Sequence, residues 1–250
     1  MTSPPSTSPT PPPPPAPPPV GGLLRRESIP NLLTVGRLVL AVALFAVLTP
    51  WRIGESAAAA GRGVDPWLLG AAALFIVAAA TDALDGYLAR KWNVVSVFGR
   101  IMDPFADKLL VIGAFVFLAG PGFWWAEPGE AGGGVQASGV YPWMVAVILG
   151  RELLVTSIRG TLEGQGIPFP ATASGKWKMI LQSVAVPVVL VLVALGGGRG
   201  DLSEPLTLAI RTLVWITVLV TAWSGVPYVF SAMRALRAST GSGKAGGSLR

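Results

Sequence analysis

The sequence predicts an all-α polytopic membrane protein with six transmembrane helices and both termini on the cytoplasmic side. Three observations predict it. Of the 250 residues, 52% are hydrophobic and only 13% charged, against about 25% charged in soluble domains; mean hydropathy is +0.60. Apolar runs long enough to cross a hydrocarbon core recur along the chain. Basic residues gather in alternate connecting segments. A soluble bundle would need more charged surface than this chain supplies.

Residues 1–22 are mostly Pro, Ser and Thr, a composition that cannot bury apolar area and is expected to form a disordered tail. They lack the basic start and apolar centre of a signal peptide. A membrane domain is expected over residues 23–238 and a flexible Gly/Ser tail over 239–250. Within the domain, the first helix is expected over about residues 32–48, interrupted once by Arg37. The second is expected over about 66–89, where abundant Ala permits close helix approach. The third is expected over about 104–118; Asp103 and Asp107, at i,i+4, point one way if the helix covers both, whereas Pro104 in a first turn makes Asp103 the N-cap. Gly-rich residues 121–139 predict a loop. The remaining helices are expected over about 141–159, 177–195 and 206–228, the last continuing polar towards Arg237.

Arg25, Arg26, Arg90, Lys91, Arg100, Arg159, Lys176, Lys178, Arg234 and Arg237 fall on one side of this arrangement. The opposite loops hold only Arg52, Arg62 and Arg199. The positive-inside rule therefore puts both termini in the cytoplasm. The net charge of +6 suits a face that meets anionic lipid. With basic residues scattered among spans, nucleic acid is not an expected partner.

The chain has no Cys and no His. Thiolate chemistry is excluded, any general base must be Asp, Glu, Lys or Tyr, and any metal site must use oxygen ligands, which select hard cations. One stretch concentrates such ligands. Residues 82–107 read DALDGYLARKWNVVSVFGRIMDPFAD and carry Asp82, Asp85, Asp103 and Asp107. Carboxylates at membrane depth are costly unless a cation or partner offsets them. On a helix, Asp82 and Asp85 are i,i+3 neighbours and share a face with Gly86, Ala89 and Arg90. The two small residues leave room for a bulky group to approach, and a guanidinium suits phosphate oxygens. Asp82 lies roughly 23 Å from the outer end of its helix, near the cytoplasmic edge of the hydrocarbon core. There a site could take acyl chains from the side and a water-soluble group from the cytosol. Four converging carboxylates would raise one another's pKa unless cations were bound, so one or two Mg²⁺-like ions are expected.

The pattern Asp82-x2-Asp85-Gly86-x2-Ala89-Arg90-x8-Gly99-x3-Asp103-x3-Asp107 resembles the complete signature of the CDP-alcohol phosphatidyltransferases. That resemblance implies a site of two Mg²⁺ or Mn²⁺ ions held by Asp82, Asp85, Asp103 and Asp107, with Asp107 also the general base. It implies that Gly86, Arg90, Ser96 and Thr34 bind CDP-diacylglycerol. An alcohol hydroxyl would attack the lipid-side phosphorus and CMP would leave. The segments IPNLLTVGR (residues 29–37), GRELLVTSIR (150–159) and ASGKWKM (173–179) are similar to the phosphatidylglycerophosphate synthase branch. The implied acceptor is then sn-glycerol 3-phosphate, its phosphate bound by Arg151, Arg159 and Lys176. Other acceptors of the same chemistry are inositol phosphate and phosphatidylglycerol, the latter giving cardiolipin. The resemblance also implies a homodimer in the plasma (inner) membrane, surrounded by membrane lipid, with the active site at the cytoplasmic face. A cation or proton transporter is the alternative from another class, since intramembrane acids also mark ion paths. Acids gathered at one face beside Arg90 speak against it, because transporter sites lie near the midplane.

Overall fold

A computed structural model describes residues 29–53, 63–92, 97–126, 134–166, 173–196 and 202–245. Within them, the side chains of residues 29–30, 83, 85–86, 88–90, 92, 97–101, 126, 173 and 235–245 are outside the description. The described part is built from helices α1 Ile29–Leu48, α2 Pro66–Trp92, α3 Val97–Leu118, α4 Pro142–Gly164, α5 Ala173–Leu195 and α6 Glu204–Ala245. Three stretches, Asn31–Leu48, Ser174–Leu195 and Glu204–Arg234, are long and apolar enough to cross a membrane. The protein is thus a mostly helical membrane protein. Pro66–Asp82 is a shorter apolar segment, and α3 and α4 carry charged side chains within their length.

The helices pack in the cyclic order α1–α2–α5–α6–α4–α3, and α3 also touches α2 and α5. Each turns a stripe inward at helical spacing. On α1 the buried stripe is Thr34, Arg37, Ala41, Leu44 and Leu48, while Leu32, Val35, Val39 and Val42 face outward. Apolar side chains facing outward are what a helix packed in lipid requires. Along every stripe the chemistry changes in the same sense. At one end of the bundle lie Leu48, Leu68, Leu118, Met144, Val193 and Ile210, all buried. At the other lie Arg37, Asp82, Asp107, Glu152, Lys178 and Ser224.

The apolar end is capped. Asp65 accepts the Trp67 amide at 2.9 Å, as an N-cap does, and accepts Trp51 Nε1 at 2.9 Å through its other oxygen. Its own amide donates to the Ala194 carbonyl at the end of α5. The segment expected as a plain loop contains a 3₁₀ turn, Pro121–Phe123, and an antiparallel hairpin, β1 Trp124–Ala126 with β2 Gly134–Gln136, Trp125 opposite Val135. Gln136 Nε2 and Ser138 Oγ both donate to the Leu118 carbonyl, satisfying the end of α3.

Two helices depart most from their expected limits. The third begins at Val97, so Pro104 lies inside it and Asp103 is helical instead of an N-cap. Proline leaves one carbonyl a turn earlier without its helical donor, a loss that membrane helices tolerate when neighbours re-satisfy it. The sixth helix continues to Ala245, past the point at which composition predicted a tail. The expected tail over residues 1–22 lies outside the described residues.

Candidate active site

The polar ends of the six stripes meet at one level. Because α3 runs unbroken through Pro104, Asp103 and Asp107 share one helical face, separated by a single turn. Helix α1 approaches both acid-bearing helices. Thr34 Oγ1 donates to Asp103 Oδ1 on α3, and Arg37 Nη1 lies 2.5 Å from Asp82 Oδ1 on α2. Thr34 and Arg37 are i,i+3 neighbours, so one face of α1 serves both contacts.

Asp82 and Asp107 line a single cavity of about 460 Å³, together with Lys176, Met179 and Ser183 of α5. Asp107 is within electrostatic reach of Asp82, Arg37, Lys178 and Glu152. The cavity adjoins an apolar groove of about 500 Å³ between α2 and α5, sharing Ala79, Ser183 and Val184 with it. The groove is lined by Phe75, Ile76, Pro187, Val188 and Leu192. From Ser183 to Leu192 it extends about 13 Å along α5, close to the ~15 Å of one hydrocarbon leaflet.

A second polar cluster joins α3, α4 and α5. Glu152 Oε1 accepts Lys178 Nζ at 2.5 Å and Arg151 Nη1 at 2.8 Å, and its other oxygen lies 3.9 Å from Lys108 Nζ. Lys108 also donates to Thr156 Oγ1. Glu152 and Lys178 are both buried. Arg151 is held chiefly by α6: Nε donates to Ser224 Oγ at 2.9 Å, and the guanidinium lies 5.4 Å from the Tyr228 ring centroid. Gln182 Nε2 donates to Thr221 Oγ1 beside it, joining α5 to α6.

The structure thus brings Asp82, Asp107 and Lys176 into one cavity, and pairs Asp103, one turn before Asp107 on α3, with Thr34. Arg151 is engaged with Glu152, Ser224 and Tyr228 instead of lining that cavity. Arg159 Nε is buried with no hydrogen-bond partner among the described residues. Asp85, Gly86 and Arg90 belong to α2, but their side-chain surroundings are outside the description, and Ser96 lies outside the described residues. Sequence reasoning did not assign roles to Arg37 or Glu152. The signal for Arg37 was a lone charge in an apolar run, three residues beyond Thr34. For Glu152 it was an acid within a span whose other charged residues, Arg151 and Arg159, are both basic.

As a metal site, the donor set fits a hard divalent cation: the acids are all carboxylates, with no imidazole or thiolate in the chain. Two of them face one cavity. Among the described residues no three acids are grouped closely enough to enclose an ion.

The family model for CDP-alcohol phosphatidyltransferase matches residues 27–223. A Bacillus subtilis protein named CDP-diacylglycerol–glycerol-3-phosphate 3-phosphatidyltransferase is 33% identical over 214 residues, 85% of this chain and 98% of its own. A Rickettsia bellii protein of the same name is 30% identical over 202 residues, covering 81% and 93%. An Arabidopsis thaliana protein, the second of that name in the plant, is 30% identical over 220 residues, covering 84% and 81%. All the site residues described above except Ser224 and Tyr228 fall inside the matched region. The chain belongs to the CDP-alcohol phosphatidyltransferase family.

Proposed function

We propose that this enzyme transfers a phosphatidyl group from CDP-diacylglycerol to sn-glycerol 3-phosphate, producing phosphatidylglycerophosphate and CMP. The observation that carries the reading is the cavity shared by Asp82, Asp107 and Lys176, continuous with an apolar groove between α2 and α5. A reaction between a lipid phosphate and a water-soluble phosphate needs acids, a cation and an apolar flank in this order. The relatives' names agree on donor and acceptor.

In this mechanism Asp107 accepts the proton of the attacking glycerol hydroxyl. That oxygen bonds to the phosphorus bearing diacylglycerol, the bond from this phosphorus to the bridging oxygen breaks, and CMP departs with the electron pair. Asp82, Asp85, Asp103 and Asp107 would hold one or two Mg²⁺ or Mn²⁺ ions, which when bound neutralise charge on the pyrophosphate. Thr34 keeps Asp103 oriented. Gly86, Arg90 and Ser96 are proposed to contact the nucleotide-lipid head group. Lys176 receives the acceptor phosphate; Arg159, with its buried Nε, is the second candidate for it. Arg151, tied to α6, would support this region by holding Glu152 in place. One acyl chain lies in the α2–α5 groove.

The same reading has six spanning helices in the plasma (inner) membrane, with both termini and the active site at the cytoplasmic face. The alternation of helix direction supports it: the start of α1, the end of α2 and the start of α3 meet at the acids. The basic residues gather at that end too, as the positive-inside rule requires. A homodimer is proposed on the family resemblance.

The test is CMP release by purified protein given CDP-diacylglycerol and Mg²⁺ with glycerol 3-phosphate, inositol phosphate or phosphatidylglycerol. Release with glycerol 3-phosphate alone is expected. Preference for another acceptor would refute the assignment of glycerol 3-phosphate, and no release with any would refute the transfer reaction.

A further inference from the structure

Arg37 has no exposed surface, although it is ionised and sits in a membrane-spanning helix. Arginine cannot shed its proton to escape that environment, so its burial must be offset by an anion. Asp82 is one such anion, at 2.5 Å. Asp82 is also a residue on which the proposed metal site depends. One carboxylate oxygen therefore has two claimants of the same sign.

We infer that Arg37 is the resident counter-cation of the acid site: it neutralises Asp82 when no divalent ion is bound and competes with that ion for the carboxylate. The inference rests on the metal-binding part of the proposed function. Without a cation, Asp82 and Asp107 would repel across their shared cavity. A guanidinium fixed on α1 offsets that repulsion and keeps α1 seated against α2. Once a divalent ion arrives, the same guanidinium becomes a like charge beside it and weakens its binding. Thr34 makes the complementary contact on Asp103 without adding charge. One face of α1 thus positions an acid on each of two helices, but only the Arg37 contact responds to metal. Arg37 is a positioning residue that sets how tightly the ion is held.

The experiment uses the full chain in detergent and titrates Mn²⁺ by calorimetry, with thermal unfolding measured in metal-free and Mn²⁺-saturated buffer. For Arg37→Gln, Mn²⁺ affinity is expected to rise about tenfold, the effect of removing a like charge worth ~1.4 kcal/mol. The metal-free variant should melt below the wild type, and saturating Mn²⁺ should close most of that gap. Arg37→Lys keeps the charge on a more mobile stem and is expected to bind Mn²⁺ with an affinity between the other two. A purely structural tie would instead give unchanged or weaker Mn²⁺ binding in both variants, with the same melting deficit at every metal concentration; that result overturns the inference. If Arg37→Gln does not fold, the Arg37→Lys titration decides. Absence of Mn²⁺ binding to the wild type would overturn the metal site itself, and this inference with it.

Discussion

Lys178 Nζ on α5 lies 2.5 Å from Glu152 Oε1 on α4, and the same oxygen accepts Arg151 Nη1 at 2.8 Å. One buried carboxylate thus fastens the two helices that carry the residues considered for acceptor phosphate. The arrangement is asymmetric: Glu152 has cations on three sides, whereas Lys178 has Glu152 as its salt-bridge partner among the described residues. Glu152→Gln therefore leaves buried Lys178 unpaired beside half-buried Arg151, at about 3–5 kcal/mol. Lys178→Gln leaves Glu152 still paired with Arg151 and should cost clearly less. Thermal unfolding of both variants in detergent checks the order.

Asp107 is where proton transfer is proposed. Asp107→Asn is nearly isosteric and should lower CMP release by about 10²–10⁴-fold, with the melting temperature close to wild type. Retention of more than a tenth of the turnover would remove Asp107 as the base.

Lys176 lines the acid cavity, whereas Arg151 is bonded to Ser224 and Glu152. Lys176→Ala should raise KM for glycerol 3-phosphate about tenfold with little change in kcat, as loss of a ground-state contact does. Arg151→Ala should mainly lower the melting temperature, because it releases Ser224, Glu152 and Tyr228. Steady-state kinetics and melting curves on the two variants distinguish these roles.

The α2–α5 groove should matter in proportion to chain length. Val184 lies where groove and cavity join. Val184→Trp fills that junction, so KM should rise for long-chain CDP-diacylglycerol and change little for a short-chain analogue. Equal effects on both would place the acyl chain elsewhere.

Gly113 sits against the Phe45 ring, which stacks on Phe117 with centroids 5.2 Å apart. A Cβ at Gly113 would overlap the ring carbon at the tip of Phe45. Gly113→Ala should destabilise the α1–α3 contact by about 1–3 kcal/mol, and Phe45→Leu in the same protein should restore much of the loss. Unfolding measurements on the single and double variants check both parts.

Much of the fold was legible because lipid imposes a strict rule: a helix must be long and apolar enough, and its ends show where charge resumes. The limits of α1, α2, α4 and α5 follow from that rule to within a few residues. The start of α3 does not. Pro104 is a helix-start signal in water, and only tertiary contacts, among them Thr34 on Asp103, reveal that the helix begins earlier. The hairpin over Trp124–Gln136 was hidden by its glycines, since its register depends on pairing and its burial on packing over α3. At the site, spacing alone put Asp103 and Asp107 on one face of a helix covering both. It could not show that Arg37 would reach across to Asp82, or that Arg151 would turn to Ser224. Both depend on which helix lies next to which, information carried by the packing order of the ring.

The cap of Trp51, Asp65, Gln136 and Ser138 has a consequence for traffic. It closes the apolar end with hydrogen bonds made within the protein, over a core of leucine, valine and phenylalanine. Among the described residues the bundle is therefore a cup with a greasy side slot. In the proposed reaction soluble acceptor and departing CMP would share one mouth, so each turnover would have to empty that mouth before the next acceptor settled, while the lipid would come and go sideways. Competition between CMP and glycerol 3-phosphate at the opening follows from this architecture.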